Sequence, residues 1–360
     1  MTSAEVRRLD ALEGLLEGRS ALITKAANVR YLTGYTGSNG IVCIGNGTRR
    51  LLTDFRYATA ADELRTQIAV EIVDQGLPGA VAARFGELLG SGTITFEAEH
   101  LSYGDWQLLE GAAQRAGAAF VPARGLVEGL RAVKDADEIA RIRAGAAITD
   151  GVYAHLAEIG LAGRSEMAVA RLIADQILEL GGERPAFPAI VAAGAHGALP
   201  HAIPSRDAIP RDTLVVLDLG ARVDGYASDC TRTFAIGHAD DQMREVYAVV
   251  LAAQETALAA VVPGAQCDQV HEIARRVIGE AGYAEQFNHG TGHGLGIEIH
   301  EEPRFRAAYG GELRPGNVVT VEPGIYLPGR FGVRIEDLVV VTESGHEVLS
   351  TFPKSLLTID

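Results

Sequence analysis

An α/β domain followed by an α+β domain is predicted by three features of the chain. It has 360 residues, and at roughly 150 residues per domain that length favours two units. Its first third alternates short β-prone runs with helical segments, the pattern of an α/β unit with a mixed sheet. From residue 186 onward, short apolar runs alternate with turns bearing glycine or proline, and two longer helical patterns interrupt them. The expected division is residues 1–125 and residues 126–360.

In chain order, SALIT (20–24) and the run GIVCIG beginning at Gly40 read as strands. Gly45, Asn46 and Gly47 form a turn signal, after which residues 49–53 return as the next strand. Residues 56–66, 78–90 and 102–116 have helical character, with β-prone runs at 69–73 and 93–97 between them. The alternation is expected to stop near Val121, before a break at Pro122. Residues 126–134 read as a connector. Asp135 or Asp137 then caps a long helix through residues 139–159, and a second helix is expected near 165–180. Residues 189–193, 214–219 and 318–321 are the apolar strands of the second half, and 241–260 and 268–280 its helices.

Composition narrows the function. Lys+Arg number 32 against 47 Asp+Glu, a formal net charge of −15. Nucleic-acid binding wants a basic face, so no nucleic-acid partner is expected. A polybasic membrane anchor is disfavoured for the same reason. The three cysteines, Cys43, Cys230 and Cys267, are far apart and fit neither a disulfide framework nor a CxxC zinc pattern. Residues 1–20 are charged and amphipathic and lack an apolar stretch before a cleavage site. No run approaches the ~20 apolar residues that span a bilayer. A cytoplasmic protein without membrane association is expected.

Chemistry-bearing residues concentrate in the second half. In LVVLDLGARVDGYASDCTRT (214–233), Asp218 ends an apolar run and Asp229 follows a turn signal at Asp224-Gly225. That turn folds two strands side by side, so the two aspartates can approach. Buried carboxylates need a cation or many donors; otherwise these residues are strand-end caps. In NHGTGHGLGIEIHEEP (288–303), His289, His293 and His300 are interleaved with glycines, which permit close backbone approach or positive φ. A mobile linker would not need three imidazoles. Glu322 lies between an apolar strand and a Pro-Gly turn. Arg334 and Glu336 alternate with Val333 and Ile335, on one face of a strand; an ordinary Arg–Glu pair is the plain explanation. His196 and His201 sit in a further glycine- and proline-rich segment. Four carboxylates and an imidazole suit Mn²⁺, Co²⁺ or Zn²⁺ in a site without thiolate. A single ion does not need four carboxylates, whereas two ions sharing bridging carboxylates do.

DLGARVDGYASDCTRT, GTGHGLGIEIHEEP, TVEPGIY and GVRIEDLV resemble the signature segments of proline-specific metallopeptidases with the pita-bread fold, aminopeptidase P and prolidase. FPAIVAAGAHGALPHA (187–202) resembles the family's upstream histidine segment. NVRYLTGYTGSNG and LLTDFRY are more loosely similar to the creatinase-type N-terminal domain. The resemblance implies that Asp218 binds one ion, Asp229 and Glu336 bridge two, and His293 and Glu322 complete the second site, with Mn²⁺ the expected metal. It implies His201 and His300 as active-site imidazoles near the scissile carbonyl, with His201 stabilising the oxyanion. Glu322 would also move the proton, and Arg334 and Tyr326 would support the site or touch substrate. The interval of 14 residues from Glu322 to Glu336 looks like the proline-specific branch rather than the methionine aminopeptidases. The expected function is hydrolysis of the bond between an N-terminal residue and a following proline, as an aminopeptidase and, by expectation, a homodimer. Alternatives are an Xaa-Pro dipeptidase, which holds the substrate's C-terminal carboxylate with a positive group, and a non-catalytic peptide-binding module, which would have lost ligands.

Overall fold

The computed structural model describes residues 3–65 and 68–360. The chain divides into two compact units, one ending at Arg131 and the other spanning Ala132–Asp360.

The first unit is built on a six-stranded sheet. In spatial order its strands are Ala69–Val73, Thr48–Asp54, Gly40–Gly45, Ser20–Ile23, Thr93–Glu97 and Ala119–Ala123. Pairing is mixed: Gly40–Gly45 runs antiparallel to both neighbours, and the other three pairings are parallel. Four details depart from the sequence reading. The strand Ala119–Ala123 continues through Pro122 instead of breaking there. It lies at the sheet edge, where a missing N–H costs no ladder bond. The helix expected over 78–90 is two helices, Leu77–Ala83 and Phe85–Leu89, separated at Arg84 with φ −126° and ψ 26°. Its guanidinium bonds Glu71 and Glu87. The helix expected over 56–66 shortens to Ala58–Asp62 after a single tight turn at Phe55–Tyr57; residue 66 lies outside the described residues. The stretch 126–134, expected as a connector, contains the short helix Glu128–Arg131.

In the second unit, Asp135 caps the 24-residue helix Ala136–Ile159 through a reciprocal capping box with Glu138. Ser165 caps Glu166–Glu179 and Asp240 caps Asp241–Ala259, each accepting a backbone N–H. Cys267–Glu280 is the fourth long helix. These helices work in pairs. Val152, Leu156, Val169 and Ile173 form one core with Val215, Leu217 and Leu219 of the strand Thr213–Leu219. Val246, Val250, Val270 and Ala274 form another with Val319, Val321, Val333 and Ile335.

Side chains alternate across a strand. With Leu217 and Leu219 turned to the helices, Asp218 faces the other way. The same rule turns Thr320 away from Val319 and Val321, and Arg334 away from Val333. Thr213–Leu219 pairs antiparallel with Cys230–Ile236, placing Asp218 opposite Thr231. Between them, Asp224 (φ 46°) and Gly225 (φ 74°) form the expected two-residue turn, with the paired positive φ of a type I′ hairpin. Among the described residues, no helix is long and apolar enough to cross a membrane.

A buried ion pair joins the two halves of this unit. Arg232 donates to Asp337 Oδ1 at 2.9 Å, both side chains 1% exposed. Lys354 and Gln254 donate to Oδ2 at 2.7 and 3.0 Å. Removing one member of such a pair leaves the other charge buried alone. Asp337→Ala should therefore destabilise the chelated protein by about 3–5 kcal/mol, against about 1 kcal/mol for the cap variant Asp135→Ala. Urea unfolding of both measures the difference; equal small losses would show that the pair does not hold the halves together.

Candidate active site

The strand faces described above converge on one cavity of about 550 Å³. It is lined by Asp218, Asp229, His293, Glu322 and Glu336, and also by His201, His289, His300, Tyr326 and Arg334. All five expected ligand residues and all four expected catalytic residues thus face one space. His196 does not: it bonds Glu166. His238 is likewise outside the lining.

Each acid arrives from a different piece of backbone. Asp218 is inside Thr213–Leu219 and Asp229 immediately precedes Cys230–Ile236. Glu322 follows Val318–Val321, and Glu336 occupies the gap between Phe331–Arg334 and Asp337–Val341. Single ligand atoms of Asp229, His293 and Glu336 all lie within 4.8 Å of one another. His293 Nε2 stands 3.3 Å from Glu322 Oε1 and 3.7 Å from Asp229 Oδ2. Its Nδ1 is 3.0 Å from the Gly294 carbonyl, so Nδ1 carries the proton and Nε2 presents its lone pair to the acids. The ring of His300 meets that of His293 edge-on, with centroids 4.4 Å apart.

Arg334 is not paired with Glu336, as the sequence alone suggests, but with Asp218, at 2.7 Å to Oδ2. It also donates to Tyr326 Oη at 2.9 Å and to the Pro200 carbonyl at 3.2 Å. Arg334 and Glu336 meet through Thr231: the hydroxyl accepts from Arg334 Nε at 3.1 Å and donates to Glu336 Oε2 at 2.7 Å. Thr320 plays a parallel part, donating to Glu322 Oε1 and accepting from the His293 N–H. Sequence reasoning passed over both threonines. Their signal was the period of two, since Thr231 stands two residues after Asp229 and Thr320 two before Glu322. The glycines of 288–303 serve close approach, not positive φ. A Cβ on Gly292 would lie 2.0 Å from the Thr320 carbonyl oxygen, and one on Gly294 2.2 Å from that of Glu302.

The electrostatics are unfavourable to bare acids. Burial, then repulsion from Glu336, Asp218 and Glu322, holds the Asp229 carboxyl well above its ordinary pKa. Glu336 is raised well above its own by burial and by Glu322 and Asp218. Burial also raises Glu322, with Asp218 adding to it. Burial lowers His293 to about 4 and shifts His289 and His300 downward, so the imidazoles are neutral at pH 7. Asp218 Oδ1 and Glu336 Oε1 are buried without any hydrogen-bond partner. Hard oxygens left unpartnered beside a neutral imidazole fit divalent cations.

A cavity of this make-up is of the class that metal-dependent hydrolases use. The chain belongs to metallopeptidase family M24, whose model matches residues 140–343. Residues 8–133 match the creatinase/prolidase N-terminal domain. The second unit therefore has the pita-bread fold and the first the creatinase-type fold that the sequence motifs implied. The chain is 38% identical to an uncharacterized peptidase of Bacillus subtilis, YqhT, over 99% of this chain and 100% of that one. Among solved structures it resembles an Xaa-Pro dipeptidase from Bacillus anthracis, with TM-score 0.91, 36% identity and 99% of each chain covered. It also resembles an X-Pro aminopeptidase from Thermotoga maritima, with TM-score 0.88, 35% identity, and 97% of this chain and 100% of that one covered.

The raised carboxyls have a consequence for metal-free protein. Asp229, Glu322 and Glu336 bind protons more tightly folded than unfolded, so stability is lost as pH rises through their raised values. His289, His293 and His300, lowered by burial, give the opposite slope as pH rises through the ordinary imidazole value of about 6.5. Above that value the Tm of chelated protein should fall as pH rises, and Asp229→Asn or added divalent metal should flatten that fall. A chelated Tm that rises over the same range would contradict the account.

Proposed function

We propose that this protein is an exopeptidase that hydrolyses the bond between an N-terminal residue and a following proline, using two divalent ions, with Mn²⁺ the favoured metal. The observation that carries it is the convergence of four carboxylates and one imidazole with two carboxylate oxygens unpartnered. In this reading Asp218 would hold one ion, Asp229 and Glu336 would be shared by both, and His293 and Glu322 would complete the second. The ions, when bound, supply a water whose pKa is lowered to near neutrality and polarise the scissile carbonyl.

The chain's own groups do the rest. His201 stands at the cavity wall as a donor to the oxygen of the developing oxyanion, with His300 beside His293 as the second imidazole. Glu322 takes the proton released by water and delivers it to the proline nitrogen, which must be protonated to leave as a secondary amine. The acid-rich cluster suits the substrate's α-ammonium group, which favours cleavage at the chain's first bond. Arg334 fixes Asp218 and Tyr326 together. The same reading takes proline-containing peptides as the partners and a cytoplasmic homodimer as the working form.

A dipeptidase is the second reading. Arg304 and Arg306 line the cavity, and a guanidinium there suits the carboxylate of a C-terminal proline. Ala-Pro, Ala-Pro-Ala and Ala-Ala, assayed after chelation and again with Mn²⁺, separate the readings. Cleavage of both proline peptides, dependent on metal, is the aminopeptidase result; cleavage of Ala-Pro alone is the dipeptidase result. Metal-independent turnover, or a preference for Ala-Ala, would overturn both. His201→Ala should lower kcat by roughly 10²–10³, the usual cost of one oxyanion donor, while retaining bound metal. Wild-type kcat in that variant would remove His201 from the site.

A further inference from the structure

One wall of the cavity comes from a segment with little structure of its own. After the strand Ile190–Ala193 and the tight turn Gly194–Ala198, residues 200–204 supply Pro200, His201, Ala202, Ile203 and Pro204 to the lining. Its tip is solvated: Leu199 is 56% and Ile203 84% exposed. Few contacts of its own therefore set where His201 stands.

The ends, carried by the pairing of Ala193 with Val215 and by the backbone bridge between Ser165 and Ala208, are tied to each other from behind by one side chain. Glu166, the first residue of the helix Glu166–Glu179, is 3% exposed. Its Oε1 accepts from the Ala193 N–H at 2.8 Å, and its Oε2 from the Ser205 N–H at 2.8 Å. His196 Nδ1 lies 3.0 and 2.8 Å from the same two oxygens. The Met167 N–H donates to the Ser205 carbonyl at 2.9 Å. From the cavity side, only Arg334 reaches the tip's backbone among the side-chain bonds described, at the Pro200 carbonyl. One buried carboxylate thus closes the loop from residue 193 to residue 205 and steadies the turn between them.

We propose that Glu166 is a positioning residue for the hydrolysis: by clamping both ends of this segment it fixes the distance of His201 from the acid cluster. The inference rests on the reading of His201 as the oxyanion donor. It also predicts an asymmetry between two conservative replacements. Glu166→Gln keeps the volume but has one acceptor oxygen for two backbone N–H groups, so one end is released. Glu166→Asp keeps both acceptors and withdraws them by one methylene.

The test combines kinetics on Ala-Pro with hydrogen exchange, both on the full-length, Mn²⁺-loaded enzyme. In Glu166→Gln, kcat should fall by about 10²-fold, the order expected for a misplacement of about 1 Å. KM and the metal content per chain should stay near wild type. Amides within 196–204 should exchange faster, while those of 318–340 do not change. Because the loss acts through His201, the double variant Glu166→Gln/His201→Ala should be no slower than His201→Ala alone. Unchanged exchange over 196–204, or a double variant slower by the full factor of Glu166→Gln, would overturn the proposal. If Glu166→Gln does not fold, Glu166→Asp is held to the same criteria, with a smaller loss expected. A wild-type enzyme that cleaves no Xaa-Pro peptide would end the functional reading instead, and the exchange measurement would still decide whether Glu166 holds the segment.

Discussion

Four carboxylates share one poorly solvated space, and the second unit is organised around that constraint. Bringing anionic groups out of water and beside one another costs several kcal/mol for each unless a cation or a dense set of donors answers them. Among the described residues, the acids accept from the guanidinium of Arg334 and from the hydroxyls of Thr231 and Thr320. That is too little for four acids, and Asp218 Oδ1 and Glu336 Oε1 are left without donors. Divalent ions complete the balance. The paired helices behind the strands provide the rigidity that keeps the acids close when repulsion would part them.

Much of this was readable from the chain because strand geometry is strict. An aspartate inside LVVLDL must point away from the leucines that face the core, and the turn at Asp224-Gly225 fixes which residue stands opposite it. The helix cap at Asp135, one of the two aspartates the sequence offers, was likewise local and visible. What the sequence hid was pairing across distance. Arg334 and Glu336 look like partners because they are two residues apart. In the fold, Arg334 takes Asp218, which is remote in sequence, and Thr231 stands between the apparent pair. Glu166 shows the same difficulty: as a first-turn glutamate after a Ser cap it reads as helix electrostatics, yet it serves a loop that begins 27 residues later. The strand through Pro122 was missed because proline is compatible with a strand only at an edge, and edge position is a property of the whole sheet.

The arrangement also separates duties. The acids, one inside a strand and three beside strand ends, hold the charge that would fix metal. The lining residues His201, Ile203 and His300 are on segments with more exposure and fewer ladder bonds. Such a division lets the metal-binding part stay constant while the substrate wall is tuned through its anchors.

If the acid cluster holds two ions, Asp229 and Glu336 would be shared between them. Anomalous diffraction from crystals grown with Mn²⁺ tests it directly. Two peaks about 3.5–4 Å apart are expected, both within bonding distance of the Asp229 and Glu336 carboxylates, with Asp218 on one and His293 and Glu322 on the other. No peak in the cavity, or a single peak at saturating metal with Asp229 or Glu336 unbound, would contradict it.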